Sequence, residues 1–421
     1  MGTYTKDTPK VDNSTDTSLL GREVLGQVQY LLPADCFLTK MIETIQVDGK
    51  TGSVKKSGGV IESKASNQSR VECFTKDPKS PTQTAGSALV SDDLTLANAA
   101  TQIVEKMVFM NTANNTVGMV EAISGTTVTF GSIGSTAFSV ADTNVLMYMG
   151  TMYEYGSSNP KYVMNTDDNH WNIMGIFRHP LEMTNSARDS VQNAGGNIFD
   201  RYSKDELVES VRNVERNFIF GVRPSSGNVT AMSVLGVSIP SARGLYDMAQ
   251  ATYGFSGTMT LAKIRKNLPL AAHRAMSIHE KYIWAMSKQA YAEIIELVNG
   301  TTAVIQHDDK EMYDSWGFKV DSLVTSGFKV GLLVHDAFCH GANTTKGLIF
   351  NPATIMYRYK NGSPPMGKGG KALGGNNRNW NIVRHIESNS TDTRKDDIIN
   401  ESCLLSKKGG YDIMTTTAMH S

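Results

Sequence analysis

The chain of 421 residues is short of several things, and each shortage closes off a class of protein. It has four cysteines, Cys36, Cys73, Cys339 and Cys403, none of them paired at CxxC spacing. That scatter supports neither a zinc ribbon nor a disulfide-stapled miniature fold, so free thiols of a reducing compartment are expected. It has no surplus of charge, since Lys+Arg and Asp+Glu both number 41. A dedicated nucleic-acid binder carries a basic excess, so any phosphate contact must come from a local patch. No apolar window reaches membrane-spanning length, and the polar opening residues lack the pattern of a secretory signal. No membrane partner is expected. Proline is scarce at 12 and glycine plentiful at 37, a balance that suits glycine-jointed loops and strands better than a compact helical enzyme.

Catalytic signatures are also missing. There is no GxSxG, no HExxH and no dinucleotide-binding fingerprint. The run Gly362 to Lys368, GSPPMGK, has the outline of a phosphate loop. However, Gly369 stands where a magnesium-binding hydroxyl is needed, and Pro364 and Pro365 remove amide donors. A surface loop is the expectation, with a nucleotide-dependent enzyme using this loop as the remaining enzymatic alternative. His335, Cys339 and His340 lack a fourth metal ligand, and on a strand His340 faces away from the other two. His307, Asp308 and Asp309 near Asp314 have no nucleophile beside them and read as a solvated turn. No catalytic, cofactor-binding or metal-binding residue is expected, and the chain reads as a non-enzyme.

What the sequence does have is one strong helix, Ser203 to Phe220, SKDELVESVRNVERNFIF. Ser203 and Glu206 have capping-box spacing. Leu207, Val211, Val214 and Phe218 follow at steps of four, three and four, which stacks them on one face. Asp205, Glu209, Arg212, Glu215 and Arg216 fall on the other side, and Gly221 with Pro224 ends the run.

The rest of the chain is organised around this helix. Residues 1 to about 20 read as a flexible arm. From Gly49 to about Ser91 the chain is polar, and two long, mostly solvated strands are expected. Residues 92 to 155 read as a small β-module with a hairpin turning at Ser124 and Gly125. A strand through Trp171, Ile173, Ile176 and Phe177 returns from it and is expected to stop at Pro180. Beyond Pro224 the pattern is mixed α/β. Thr260 is a candidate cap, KYIWAMS is a strand, and Ser287 caps a helix ending at Gly300. Several strands follow, then a glycine-rich loop from Asn361 to Arg378, then closing strands.

This order of elements resembles the major capsid proteins of tailed bacteriophages with the HK97-type fold, in particular the family with a β-module inserted in the E-loop. The resemblance rests on order and spacing. Val120 to Val128, with Ser124-Gly125 at its turn, and Asp142 to Gly150 look like two strands of that insert. Glu154-Tyr155-Gly156 stands for its Glu-Gly pair. Leu207 to Gly221 looks like the spine helix, and Leu348 to Pro352 like a strand-to-turn where Asn351 replaces the family's Asp. The resemblance implies an α+β fold with five regions: an arm over 1–45, an E-loop region over 46–182 holding the module, a peripheral domain with the spine helix over 183–224, an axial domain over 225–345, and a return to the peripheral domain over 346–421. It implies a virion protein that self-assembles as pentamers and hexamers into an icosahedral head around double-stranded DNA. Assembly would occur in the host bacterial cytoplasm, with a portal protein and scaffold or decoration proteins as further partners. An encapsulin-type compartment of the same fold is the alternative. Candidate assembly residues are Leu207, Val211, Val214 and Phe218 of the spine and Lys50, Lys55, Lys56 and Lys64 of the loop, where phosphate contact would be electrostatic and sequence-independent.

Overall fold

Alternation and helical periodicity set out the architecture of the computed structural model. It describes residues 36–419 apart from 48–53, 59, 77–81, 91, 97–102, 135, 154, 156–166, 185–190, 193–195, 224–231, 235–236, 257–258, 273–275, 277–279, 300–304, 307–320, 325–328, 363–370, 373–376 and 385–392. The chain divides into two units, one of Phe74–Asn169 and one of Met1–Cys73 with His170–Ser421. The expected arm, the phosphate-loop mimic beyond Gly362 and the His307–Asp314 turn lie outside the described residues.

The larger unit is built on two sheets. In one, the long strand Thr393–Ser406 is the axis. It pairs with Gly175–Thr184, with Asn381–Arg384 and with Ile355–Lys360, which in turn takes Glu62–Ser66 in parallel. The other sheet has seven strands, ordered Ala251–Gly254, Ile413–Thr417, Gly347–Phe350, Lys281–Met286, Lys329–Val334, Asp321–Val324 and Ile305–Gln306.

Strand Lys281–Met286 explains the layering. Its residues from Tyr282 to Met286 are all buried, as expected of a strand covered on both faces. Ile283 and Ala285 join the core of Leu207, Val214, Phe218 and Tyr357. Tyr282, Trp284 and Met286 join the core of Ala290, Ile294 and Val298. The period of two thus turns one face toward the long helix and the other toward helix Lys288–Asn299. That second helix begins as expected, with the Ser287 hydroxyl accepting from the Ala290 amide at 3.1 Å.

The long helix runs from Ile198 to Phe220, five residues further toward the N-terminus than the sequence suggests. Ser203 therefore lies inside the helix, and the capping-box reading fails. At the other end Gly221 stops it. A Cβ there would sit 2.4 Å from the Ala242 carbonyl oxygen and 2.5 Å from that of Asn217, so two backbones approach closely only because a side chain is missing.

The smaller unit is a six-stranded antiparallel sheet ordered Thr82–Thr84, Val145–Thr151, Met107–Asn111, Val117–Ser124, Thr127–Ser132 and Asp93–Thr95. Leu94, Phe109, Val120, Val128, Phe130 and Leu146 fill its own core. The expected hairpin is present, and Gly125 takes φ +62 at its turn.

Two other expectations need correction. The stretch from Gly49 holds short strands, Val54–Gly58, Glu62–Ser66, Arg70–Thr75 and Thr82–Thr84, rather than two long ones. Glycine and serine interrupt pairing too often for longer runs. Pro180 does not end its strand, since Gly175–Thr184 continues through it opposite Asp397. Among the described residues that strand pairs on one side alone, and an edge strand tolerates a missing amide.

Candidate assembly site

The short helix Phe37–Ile42 has a problem that its own sequence does not solve. The amides of its first turn lack partners, and the residue before it, Cys36, offers only a thiol. The long helix supplies the missing acceptor. Glu215 Oε1 accepts from the Leu38 amide at 3.0 Å, and Oε2 accepts from the Thr39 hydroxyl at 2.9 Å and the Thr39 amide at 3.4 Å. A carboxylate from about 176 residues away thus caps this helix, where negative charge is favoured.

His335 completes the arrangement. Its Nδ1 accepts from the Ala337 amide at 3.1 Å, so the proton is on Nε2, which donates to Glu215 Oε1 at 3.1 Å. Both side chains are buried, at 3% and 1% exposure, which is tolerable because each polar atom has a partner. Phe37 lies edge-on to the His335 ring at 4.9 Å. Next to this clamp, Asp336 takes Arg216 at 3.0 Å and His340 at 3.2 Å. Burial would raise the Asp336 carboxyl, but the Arg216 and His340 contacts outweigh it and hold it below its usual range. Cys36, Arg212, Glu215, Arg216, His335 and Asp336 leave a cavity of about 10 Å³ between them. That is room for one water molecule and for no substrate.

His335 and His340 are therefore spent on carboxylates. The strand reading of this segment is corrected as well, because the strand stops at Val334 and Asp336–Phe338 is a 3-10 turn. Cys339 Sγ lies 3.5 Å from the His335 carbonyl oxygen. Among the described residues, no three His, Cys, Asp or Glu side chains gather in a metal-binding arrangement.

The predicted assembly residues of the helix, Leu207, Val211, Val214 and Phe218, all face the core of their own unit, and Phe218 meets Tyr357 edge-on at 5.9 Å. They hold the helix in place instead of presenting a surface. Lys64 is exposed on strand Glu62–Ser66. Lys55 and Lys56 lie opposite Gln46 and Ile45 in the hairpin of Glu43–Val47 and Val54–Gly58, and Lys50 lies outside the described residues. Sequence reasoning missed Glu215, which it placed on the solvent side with Arg212, yet both are buried. The signal was its position next to Val214 and one turn after Val211, at the rim of the apolar stripe.

The smaller unit offers a surface of another kind. Strand Val145–Thr151 and the residues after it expose Met149, Met152, Tyr153 and Tyr155, the last of them completely. A run of large apolar side chains left in water marks an interaction surface.

Comparison with known proteins adds the following. The family model described as SU10 major capsid protein matches residues 53–372. Solved structures similar to this chain include the capsid asymmetric unit of cyanophage A-1(L), at 10% identity over 96% of this chain and 99% of that one, with a TM-score of 0.46. The capsid of a native GTA particle is similar at 7% identity over 96% and 97%, with a TM-score of 0.43. The holo-SrpI encapsulin complex of Synechococcus elongatus PCC 7942 is similar at 11% identity over 61% and 78%, with a TM-score of 0.39. No curated protein sequence matches.

Proposed function

This chain belongs to the SU10 major capsid protein family, and from that premise we propose how the parts of the subunit serve a closed shell. The chain is a structural subunit of the virion capsid. Its copies gather as pentamers and hexamers into the icosahedral head of a tailed phage, around double-stranded DNA. The observation that carries this reading is the family match across 53–372, which spans both units of the chain.

Within that reading, the long helix and the sheet of Thr393–Ser406 form the plate of the peripheral domain. The seven-stranded layer belongs to the axial domain over 225–345, with strands Gly347–Phe350 and Ile413–Thr417 from the region 346–421 joining it. Residues 46–182 act as the E-loop region, and its β-module covers a neighbouring copy with the apolar run at Met149, Met152, Tyr153 and Tyr155. The clamp at Glu215 fixes where the arm of residues 1–45 leaves the subunit. A standard contact buries about 1,600 Å², so several contacts per subunit are needed to hold a shell that no single one secures. Lys50, Lys55, Lys56 and Lys64 meet packaged phosphate without reading sequence. Assembly occurs in the host bacterial cytoplasm, with a portal protein and scaffold or decoration proteins as further partners.

Negative-stain imaging of the expressed chain tests the reading. Closed angular shells are the expected result, with particles from infected cells holding double-stranded DNA. Shells loaded with an enzyme cargo would instead favour an encapsulin-type compartment, and an absence of shells at any concentration would overturn both.

A further inference from the structure

The neutral total conceals a sharp local imbalance. Residues 248–279 contain four Lys and Arg residues and no Asp or Glu, whereas residues 291–321 contain seven carboxylates against two lysines. Both stretches build on one core. Ile264 and Leu268 enter it from the first, and Ile294 and Val298 from the second.

The basic stretch presents a tight turn. Lys263–Asn267 is wound as a π-helical turn closed by the Leu268 amide on the Lys263 carbonyl. Pro269 follows, and without an amide it cannot give the ordinary i to i−4 bond. The turn buries Ile264 and Leu268 and leaves Lys266 in water, with Leu270 beside it at 75% exposure. The acidic stretch opens inside helix Lys288–Asn299, which exposes Lys288 at its start and Glu296 two turns later and half-exposes Glu293. Among the described residues, Lys266, Glu293 and Glu296 enter no ion pair.

We propose that in the shell the basic turn of one copy, at Lys266 and Leu270, seats on the acidic outer face of helix Lys288–Asn299 of the next copy. This rests on the reading of the chain as a shell subunit. Two patches of opposite sign on one subunit make a head-to-tail contact, which closes into a ring when repeated by rotation. A second copy is favoured over packaged DNA for two reasons. Phosphates would leave Leu270 uncovered, and the complementary charge is already present on the same chain.

The test is a charge swap. Lys266→Glu and Glu296→Lys each place like charges in the contact. Both positions are exposed, so circular dichroism of the subunits should be unchanged. An exposed pair is worth a factor of roughly two to five per contact. Each single variant should therefore raise the concentration for half-assembly at least twofold, and the double variant should return it to the wild-type value, because reversed patches again match. Wild-type assembly should also weaken with added salt. Single variants that assemble as the wild type does, or a double variant no better than either, would overturn the contact. A Lys266→Glu shell that forms normally but loses DNA would assign the turn to phosphate and also overturn it. If the wild type itself forms no shell, it is the capsid reading that fails; if it does while the swap shows nothing, only this contact fails.

Discussion

Removing Glu215 should release the base of the arm while leaving most of the fold in place. Four donors converge on its carboxylate: the Leu38 and Thr39 amides, the Thr39 hydroxyl and His335 Nε2. In Glu215→Ala, the hydroxyl can turn elsewhere, and the Thr39 amide at 3.4 Å loses little. The Leu38 amide and His335 Nε2 remain, both buried and both without an acceptor. Each unsatisfied buried donor costs about 1–3 kcal/mol, and bonds to a charged acceptor lie at the upper end, so a loss of about 3–5 kcal/mol is expected. A water molecule entering from the adjoining cavity would place the loss at the lower end of that range. Glu215→Gln keeps one oxygen for the Leu38 amide and His335, while its NH₂ donates to the Thr39 hydroxyl, so about 1–2 kcal/mol is expected. Urea unfolding of the unassembled subunit gives these differences. Amide exchange at Leu38 and Thr39 localises them, since both should speed up in the Ala variant while Tyr282 and Leu348 in the seven-stranded sheet stay protected. Equal stability of the Ala and Gln variants, or unchanged exchange at Leu38, would refute the cap.

Other substitutions and conditions separate the parts of the account. Phe218→Ala empties a fully buried site against Tyr357 and should cost about 3–5 kcal/mol in urea unfolding. Gly221→Ala drives a methyl into two carbonyl oxygens that belong to the backbone. It should cost about 2 kcal/mol or more, visible as reduced soluble yield and a lower melting temperature. Acid should destabilise the subunit. The Lys407 hydrogen bond and charge hold Glu62 low. Burial raises Glu280 but its bonds to Lys408, Asn351 and Tyr282 lower it further, and Asp336 is held low by Arg216 and His340. A carboxyl whose folded pKa is depressed stabilises fully above its unfolded pKa, and that stability is lost as pH falls through the folded value. Melting temperature should be flat from pH 8 to about 6 and should fall below about pH 4.5; a rise in acid would contradict these pairings.

The sequence made some of this legible and hid the rest for identifiable reasons. Steps of four, three and four located the long helix and its buried face, and Ser287 and Gly125 marked a cap and a turn through local backbone chemistry. Membership in the capsid family bears out the resemblance drawn from element order, and the strand-rich α+β architecture bears out the fold class. The helix start at Ile198 was hidden because Ser203 and Glu206 have capping-box spacing, and local spacing does not show that the helix runs on through the pair. Pro180 looked like a terminator because a chain read alone does not show that its strand is an edge. Glu215 looked solvated because its partners, Leu38, Thr39 and His335, are more than a hundred residues away. The candidate site was thus unreadable where it depends on long-range acceptors, and readable where it depends on periodicity.

The most direct test of the account is the mass of the expressed chain in sedimentation velocity. A capsid subunit should leave the 45.9 kDa species as concentration rises and appear as pentamers or hexamers and then as megadalton shells. A single species near 45.9 kDa that persists at every concentration and salt would contradict it.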